Sequence, residues 1–367
     1  MTEQSEVYAA AYERLGSYTA VAAEFGVHES TVRKSLNRRQ RRLDPGIADA
    51  LERTGIEPES ARFGYRRVKD HDGSFNTVFW RLPPEDQQGV LDRIKDAMSD
   101  VDALPQITAP AYSDADLMTI YPIADAHIGM QAWGRESGED YDTAIATQRL
   151  REWVGQVVDL APASETAVIL GVGDLLHADD QSNMTPASKH ILDVDTRHYK
   201  TLEATIDAMK AAIEYAAQKH SRVHVRILPG NHDKHAYIAV LMALANRYEG
   251  NDRIKVQSVP NEFFVQQFGK VMLAAHHGDK AKADRMVHFL ADEYAEIWGK
   301  TRHRFLWTGH LHHHKSQDIG GVQWEQLRAL TAKDAYAAGH AYSARAQMQA
   351  ITYHRERGEI QRVKVGL

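Results

Sequence analysis

The 367-residue chain contains no cysteine, which removes disulfides, zinc knuckles, iron–sulfur clusters and thiol nucleophiles from consideration. It has no apolar run approaching the roughly 18 residues that a membrane helix needs. The opening MTEQSEVYAAAYERLG has neither the basic nor the apolar segment of a signal peptide. A cytoplasmic location without a membrane partner is therefore expected. Internal repeats and low-complexity tracts are missing too. An overall basic charge is also lacking: 44 Lys and Arg against 50 Asp and Glu give −6, which argues against a uniformly basic nucleic-acid coat. At 43% hydrophobic and 26% charged the composition is that of a globular protein, and the length allows two or three domains at roughly 100–200 residues each.

Histidine is what the chain has in quantity: 20 residues, against 10 Met and 6 Trp. Eighteen of them fall in residues 116–367, so the imidazole signal belongs to the long C-terminal part. The charge is uneven as well. Residues 1–45 hold 7 Lys/Arg against 6 Asp/Glu, whereas residues 46–115 hold 8 against 13. Three regions follow: 1–45, 46–115 and 116–367.

In the first region, Val7–Leu15, Thr19–Phe25 and Ser30–Arg42 read as short helices separated at Gly16-Ser17 and Gly26-Val27. In the second, Asp72-Gly73 between two strand-like stretches of Arg62–Arg81 predicts a hairpin. Pro83-Pro84 ends it, a helix Glu85–Ala97 follows, and Leu104–Ser113 has linker character. No function follows for 46–115. From residue 116 onward, apolar strands (Leu117–Ala124, Ala167–Val172, Val223–Leu228) alternate with helices (Arg149–Leu160, Thr201–Lys219, Ala239–Tyr248). Further strands are expected at Phe263–Phe268, Val271–His276, Phe305–Thr308, Gln323–Leu330, Gln347–His354 and Ile360–Val365. Alternation followed by late strands predicts an α/β layered domain with its chemistry in loops at strand ends.

Those loops carry a consistent residue set. Asp125-Ala126-His127, Gly173-Asp174, Gly230-Asn231-His232-Asp233, His276-His277-Gly278 and Gly309-His310-Leu311-His312 each follow an apolar run. Carboxylate and amide oxygens mixed with imidazoles suit divalent Mn, Fe or Zn better than Ca. So many ligands imply two ions. A pair of ions about 3.5–4 Å apart bridges a water, lowers its pKa and clamps a phosphoryl centre for in-line attack. The residues alone leave His276 and His277 open as alternatives.

D-x-H, GD, GNHD, HG and GHxH in this order resemble the calcineurin-like metallophosphoesterase superfamily, over about residues 117–330. The resemblance implies a four-layer α-β-β-α sandwich. It implies one metal on Asp125, His127, Asp174 and His312, and a second on Asp174, Asn231, His277 and His310, with Asp174 as the bridge. His before Gly in the family pattern favours His277 over His276. The cofactors would be two divalent ions, Mn²⁺ first, with Fe or Zn as alternatives. His232 would be the catalytic histidine and Asp233 the acid that orients it. GDLLHADD departs from the GDxxDRG of protein phosphatases, whereas Ile123–Gly129 and Gly173–His177 are similar to the DxHLG and GDLFH of double-strand-break repair nucleases of the SbcD type. That likeness gives His177 a role in positioning a DNA phosphate, and it allows a homodimer. Fifty-five residues follow His312 and read as strands completing the sheet, so no C-terminal DNA-capping domain is expected.

DNA engagement is then expected from elsewhere. The segment Ala178–Lys200 is one source, a candidate wall of the active site. The other is Thr19–Lys34, which resembles a helix-turn-helix with Gly26 at the turn, although residue 28 is His where Ser or Thr often caps the second helix. Arg33, Lys34, Arg38, Arg39, Arg41 and Arg42 place six cations in ten residues without an acid. Glu29, Ser30, Thr31 and Arg33 are candidates for base edges, and the Arg/Lys face, Lys34, Arg38 and Arg39 among it, for phosphates. This arrangement also looks like proteins encoded by tailed phages and prophages. The sequence thus predicts a two-metal phosphodiesterase acting on DNA as a nuclease. A nucleotide or small-molecule phosphodiesterase or phosphomonoesterase is the alternative.

Overall fold

The structure, a computed structural model, describes residues 3–40, 63–69, 75–81 and 107–367. The chain divides into two compact units, Met1–Leu104 and Pro105–Leu367.

In the first unit, helices α1 (Glu3–Leu15), α2 (Tyr18–Phe25) and α3 (Glu29–Gln40) pack around Tyr8, Ala11, Val21, Ala22 and Val32. Gly26 ends α2 in the left-handed region, φ 63°, where a side chain would be strained, and its N–H reaches back to the carbonyls of Ala22 and Ala23. His28 does the work of the missing Ser or Thr: its Nδ1 accepts from the N–H of Ser30 at 3.3 Å and lies 2.9 Å from the Ser30 hydroxyl. Strands β1 (Phe63–Lys69) and β2 (Phe75–Arg81) pair antiparallel from Phe63↔Arg81 to Lys69↔Phe75, the hairpin that Asp72-Gly73 signals. The helix expected at Glu85–Ala97 lies outside the described residues, as do Arg41 and Arg42.

The second unit runs β3 (Asp114–Ile123), α4 (Gly134–Ser137), α5 (Thr143–Leu160), β4 (Ser164–Gly171), α6 (His198–Lys219), β5 (Arg222–Ile227), α7 (Ala236–Arg247), β6 (Ile254–Val256), β7 (Phe264–Phe268) and β8 (Val271–Ala275). It continues with α8 (Ala283–Glu293), α9 (Ala295–Lys300), β9 (His303–Thr308), β10 (Lys315–Ile319), β11 (Val322–Gln326), α10 (Ala335–Gly339), β12 (Gln347–His354) and β13 (Gly358–Gly366). Six strands form one sheet, ordered β13-β12-β3-β4-β5-β6, with β3 to β6 parallel; five form another, ordered β10-β11-β9-β8-β7, with β11, β9 and β8 parallel.

Strand parity assigns the layers. In β4, Ala167 and Ile169 face α5, α6 and α7, while Val168 and Leu170 face the second sheet. In β8, Val271, Leu273 and Ala275 face the first sheet, while Met272 and Ala274 pack with Met286, Val287 and Leu290 of α8. The central strands, β4 and β8 among them, are thus buried on both faces, which is why they read as unbroken apolar runs. The order is helices, six strands, five strands, helices. The late strands return to the first sheet, β12 pairing with β3.

Several elements escape the sequence pattern. Helix α5 begins at Thr143, six residues before the expected start, because the Asp142 carboxylate caps it by accepting from the N–H of Ile145 at 2.7 Å. Strand β6 is three residues long, and β10 is an exposed edge strand without an apolar face. No described helix is long and apolar enough to cross a membrane.

Candidate metal centre

The carboxyl ends of β3, β4 and β5 in one sheet and of β8 and β9 in the other release their loops at the same end of the unit. The backbone there is unusual. Among the described residues eight non-glycine positions have positive φ, and five of them are Asp125, His127, Asp174, His310 and His312. The left-handed region costs a side-chain-bearing residue free energy, so its concentration here marks loops held by their surroundings. Backbone bonds hold them: the N–H groups of Asp125 and His127 donate to the carbonyls of Gly173 and Asp174, and that of Gly309 donates to His277. The motif glycines make room. A Cβ at Gly230 would sit 1.9 Å from Asp174 Oδ1, and one at Gly309 would sit 2.4 Å from Asp125 Oδ2.

Three groups of side chains lie close enough to share an ion: Asp125 with His127 and His312, Asp174 with His277 and His310, and His127 with His177 and His232, of which the first two contain a carboxylate. In the first, His312 Nε2 lies 3.3 Å from Asp125 Oδ1 and 3.2 Å from His127 Nε2. In the second, His277 Nε2 lies 3.1 Å from both Asp174 Oδ2 and Asn231 Oδ1. Asp174 Oδ2 also lies 3.9 Å from His127 Nε2, so this one oxygen stands between the two groups. Its partner Oδ1 accepts the N–H of His232 at 2.8 Å, which fixes the carboxylate plane. Asp125, His127, Asp174 and His277 form a buried floor, with Asn231, His310 and His312 part-exposed above it.

Hydrogen bonding settles what the floor can hold. His277 Nδ1 faces the Val172 carbonyl at 2.9 Å and must donate to it, so the lone pair of the neutral ring is on Nε2. Nε2 meets a carboxylate and an amide oxygen, both acceptors, so it is satisfied either by carrying a proton or by sharing a metal ion with them. Burial pushes the His277 pKa down, but the Asp174 carboxylate outweighs it and raises it to about 10. Asp174 is driven the other way: burial raises it, yet the charge and hydrogen bond of His277 hold it well below the carboxylate range. His127, buried and beside His232, is held well below the usual imidazole pKa and is neutral. The donor set, imidazole nitrogen with carboxylate and amide oxygen, fits two divalent ions of the Mn, Fe or Zn type.

His277 rather than His276 faces the centre. His276 turns away to pack on the ring of Phe263, 4.6 Å between centroids, with Nε2 3.9 Å from Glu262. His313 and His314 also turn outward, to the Leu311 carbonyl and to Glu325.

Two expected roles change. Asp233 does not orient His232: its Oδ1 accepts the N–H of Gly230 at 2.8 Å, and its Oδ2 accepts those of Leu175 and Leu176 at 2.8 and 3.1 Å. It ties the Gly230–Asp233 loop to the Asp174 loop. Burial and then the charge of Asp174 push its pKa up to about 7, against the bonds from Leu176 and Gly230. His232 is oriented instead by the His177 carbonyl, which accepts from its Nδ1 at 2.8 Å. The His177 ring is buried, its Nδ1 3.1 Å from His127 Nδ1, and burial followed by the nearby His232 brings its pKa down to about 3.

Asp179 escaped notice in the sequence. Its buried carboxylate accepts the N–H groups of His235 and Ala236 at 2.6 and 2.8 Å and holds His235 Nδ1 at 2.5 Å, which anchors the start of α7 after the GNHD loop. The only sequence signal was an acid eight residues past the end of β4. The candidate wall Ala178–Lys200 is a loop with two left-handed residues, Asn183 and Lys189, that leads into α6.

Ser30, Thr31, Arg33, Lys34, Arg38 and Arg39 all lie on α3. Ser30 and Thr31 are exposed in its first turn. Arg33 is exposed, pairs with Glu29 at 3.1 Å and lies 5.2 Å above the Tyr18 ring.

No family model matches the chain, and no curated protein matches it. Among solved structures it is similar to an archaeal phosphodiesterase, with 12% identity, 68% of this chain and 100% of that one covered, and a TM-score of 0.36. It is similar to a dimetal phosphatase from Danio rerio at 11% identity, 68% and 98% coverage, TM-score 0.34. Vps29 complexed with zinc from Entamoeba histolytica gives 13%, 68% and 99%, and 0.28. Likenesses this distant carry no weight for the chemistry, which rests on the side chains above.

Proposed function

We propose that Pro105–Leu367 is a two-metal phosphodiesterase of the calcineurin-like type, acting on DNA. One observation carries the reading: Asp174 Oδ2 stands between His127 of one ligand group and His277 of the other, the place of a bridging carboxylate. Asp125, His127 and His312 would hold one ion, Asn231, His277 and His310 the other, and Asp174 both. When bound, such a pair lowers the pKa of a bridged water and withdraws charge from a phosphoryl oxygen. The chain itself does the rest. Asp174 fixes the spacing, and the Val172 carbonyl keeps the lone pair of His277 inward. The His177 carbonyl holds Nδ1–H of His232, leaving Nε2 to carry a proton to the departing sugar oxygen. Asp233 keeps the loop of His232 in register with that of Asp174.

The polymer address is the role proposed for α3. What supports DNA over a small diester is the helix-turn-helix spacing of α2 and α3 together with the cations that follow Arg33 in the sequence. A homodimer in the cytoplasm is compatible with this reading.

The test uses full-length protein, Mn²⁺, end-labelled single- and double-stranded DNA, and bis(p-nitrophenyl) phosphate. Wild type cleaves DNA and the small diester. His232→Ala lowers kcat by about 10²–10⁴-fold while still binding Mn²⁺. Joint reversal of Lys34, Arg38 and Arg39 to Glu weakens DNA binding and lowers its salt slope by about 3, with small-diester turnover unchanged. No hydrolysis with Mn²⁺, Fe²⁺ or Zn²⁺ would sink the enzyme. Turnover of the small diester alone would assign nucleotides or other small molecules as substrate.

A further inference from the structure

Three segments that leave the metal centre meet again at α10. One runs from His127 to α4. A second runs from His177 through the loop that carries His190. The third connects β11 to β12: it passes the centre where the N–H groups of Leu330 and Thr331 donate to the carbonyls of Ala124 and Asp125, at 3.0 and 3.2 Å, and then forms α10. Helix α10 packs against α4.

Aromatic rings gather there without a part in the apolar core. Tyr336 lies 4.1 Å from His340 between centroids, tilted by 33°, and His340 lies 6.0 Å from Tyr342 at 24°. His190 reaches within 6.5 Å of Tyr336 from the second segment. Tyr336 and Tyr342 are 60% and 59% exposed, and neither belongs to any apolar cluster of the unit. Exposed apolar side chains scattered singly are ordinary, but a file of rings at stacking separation is not. Only five residues separate Tyr336 from Thr331, a reach of at most roughly 17 Å from the backbone of the metal centre. Charges of both signs flank the rings in the sequence: Arg328, Lys333 and Arg345 with Asp334, whose carboxylate caps α10 at the N–H of Ala337, and Arg135 with Glu136 on α4.

We propose that the rings of Tyr336, His340 and Tyr342, with His190 beside them, form a platform for the unpaired bases of a single-stranded nucleic acid whose adjoining phosphodiester enters the metal centre. The proposal rests on the phosphodiesterase reading and names its substrate class. A duplex hides the faces of its bases and offers such rings nothing to stack on, whereas unpaired bases stack on aromatic side chains regardless of sequence.

Full-length protein in EDTA is titrated into fluorescein-labelled oligo(dT) and into a hairpin duplex of equal length, read by anisotropy. Hydrolysis of bis(p-nitrophenyl) phosphate with Mn²⁺ is measured in parallel. The pair Tyr336→Ala with Tyr342→Ala weakens oligo(dT) binding by about tenfold or more. The pair Tyr336→Phe with Tyr342→Phe, which keeps both rings, stays within about twofold of wild type, since the stacking faces are retained. Small-diester turnover is unchanged in both pairs. Wild-type oligo(dT) affinity in the Ala pair, or an equal loss on the duplex, would overturn the platform. Conversion of a dimer to a monomer by the Ala pair, seen in sedimentation, would assign the rings to a second copy of the chain and overturn it too. No hydrolysis by wild type with ring-dependent oligo(dT) binding would overturn the phosphodiesterase reading and leave the platform standing. Hydrolysis with ring-independent binding would overturn the platform alone.

Discussion

His277 and His220 are both buried imidazoles at the ends of parallel strands, and they begin alike. Each faces a backbone carbonyl with Nδ1, that of Val172 at 2.9 Å and that of Ser164 at 2.8 Å, and each must donate there. They differ at Nε2. His220, at the amino end of β5, meets the Tyr121 hydroxyl at 2.8 Å, a donor for its lone pair. The network continues neutrally through the Ser164 and Thr119 hydroxyls to Thr352. His277, at the carboxyl end of β8, meets Asp174 and Asn231, which only accept. Burial leads the shift of His220, which falls to about 4, whereas Asp174 lifts His277 to about 10. A histidine whose lone pair finds a donor stays neutral; one whose Nε2 finds only acceptors takes a proton or a metal ion there.

The contrast can be broken from either end. The largest effect is expected from Asp174→Asn, which removes the charge both ligand groups share. Hydrolysis falls to background, and the thermal shift with Mn²⁺ disappears. In wild type a hundredfold excess of ion over its Kd adds about 2.7 kcal/mol, a rise in Tm of roughly 5–10 °C by calorimetry. A shift retained in Asp174→Asn would show that the ions do not depend on this carboxylate.

At the other end the sign follows from the depressed pKa. Between about 4, the folded value of His220, and about 6.5 in the unfolded chain, the unfolded state binds more protons, so stability falls as pH falls through that window. The contribution is about 3 kcal/mol, and His220→Gln removes that part of the acid slope. Urea midpoints of wild type and variant between pH 7 and 4 measure it; parallel slopes would show that His220 does not titrate there. A smaller effect is expected at Gly230. Its missing Cβ leaves room for the Oδ1 and backbone N of Asp174, which would lie 1.9 and 2.3 Å from it. Gly230→Ala should lower turnover by about 10–100-fold, as loss of a ligand's support does. Gly299→Ala, with nothing within 4 Å, should leave turnover unchanged.

Much of this was legible because chemistry and periodicity coincide in the same loops. Strands buried on both faces read as apolar runs, and each run ends in a loop whose Asp, Asn or His has a ligand's chemistry. Some elements that escaped lacked that signal: β10 has no buried face, β6 spans three residues, and the start of α5 depends on where one carboxylate reaches; α8 escaped although Met286, Val287 and Leu290 give it an apolar stripe. Asp233 was misassigned for a related reason. Adjacency to His232 suggests an acid–base pair, yet the turn points its carboxylate at the amides of Gly230, Leu175 and Leu176.

By itself the sequence determined the layered α/β class, the order of the ligand loops, the helical start of the chain and the freedom from thiol chemistry, because each is a local pattern of residue types. Only the tertiary structure decided that the His177 carbonyl rather than Asp233 orients His232 and that rings from segments distant in sequence meet at α10. Those outcomes depend on which donor faces which acceptor across loops as much as 185 positions apart, as between His310 and Asp125. Spacing along a chain does not encode that.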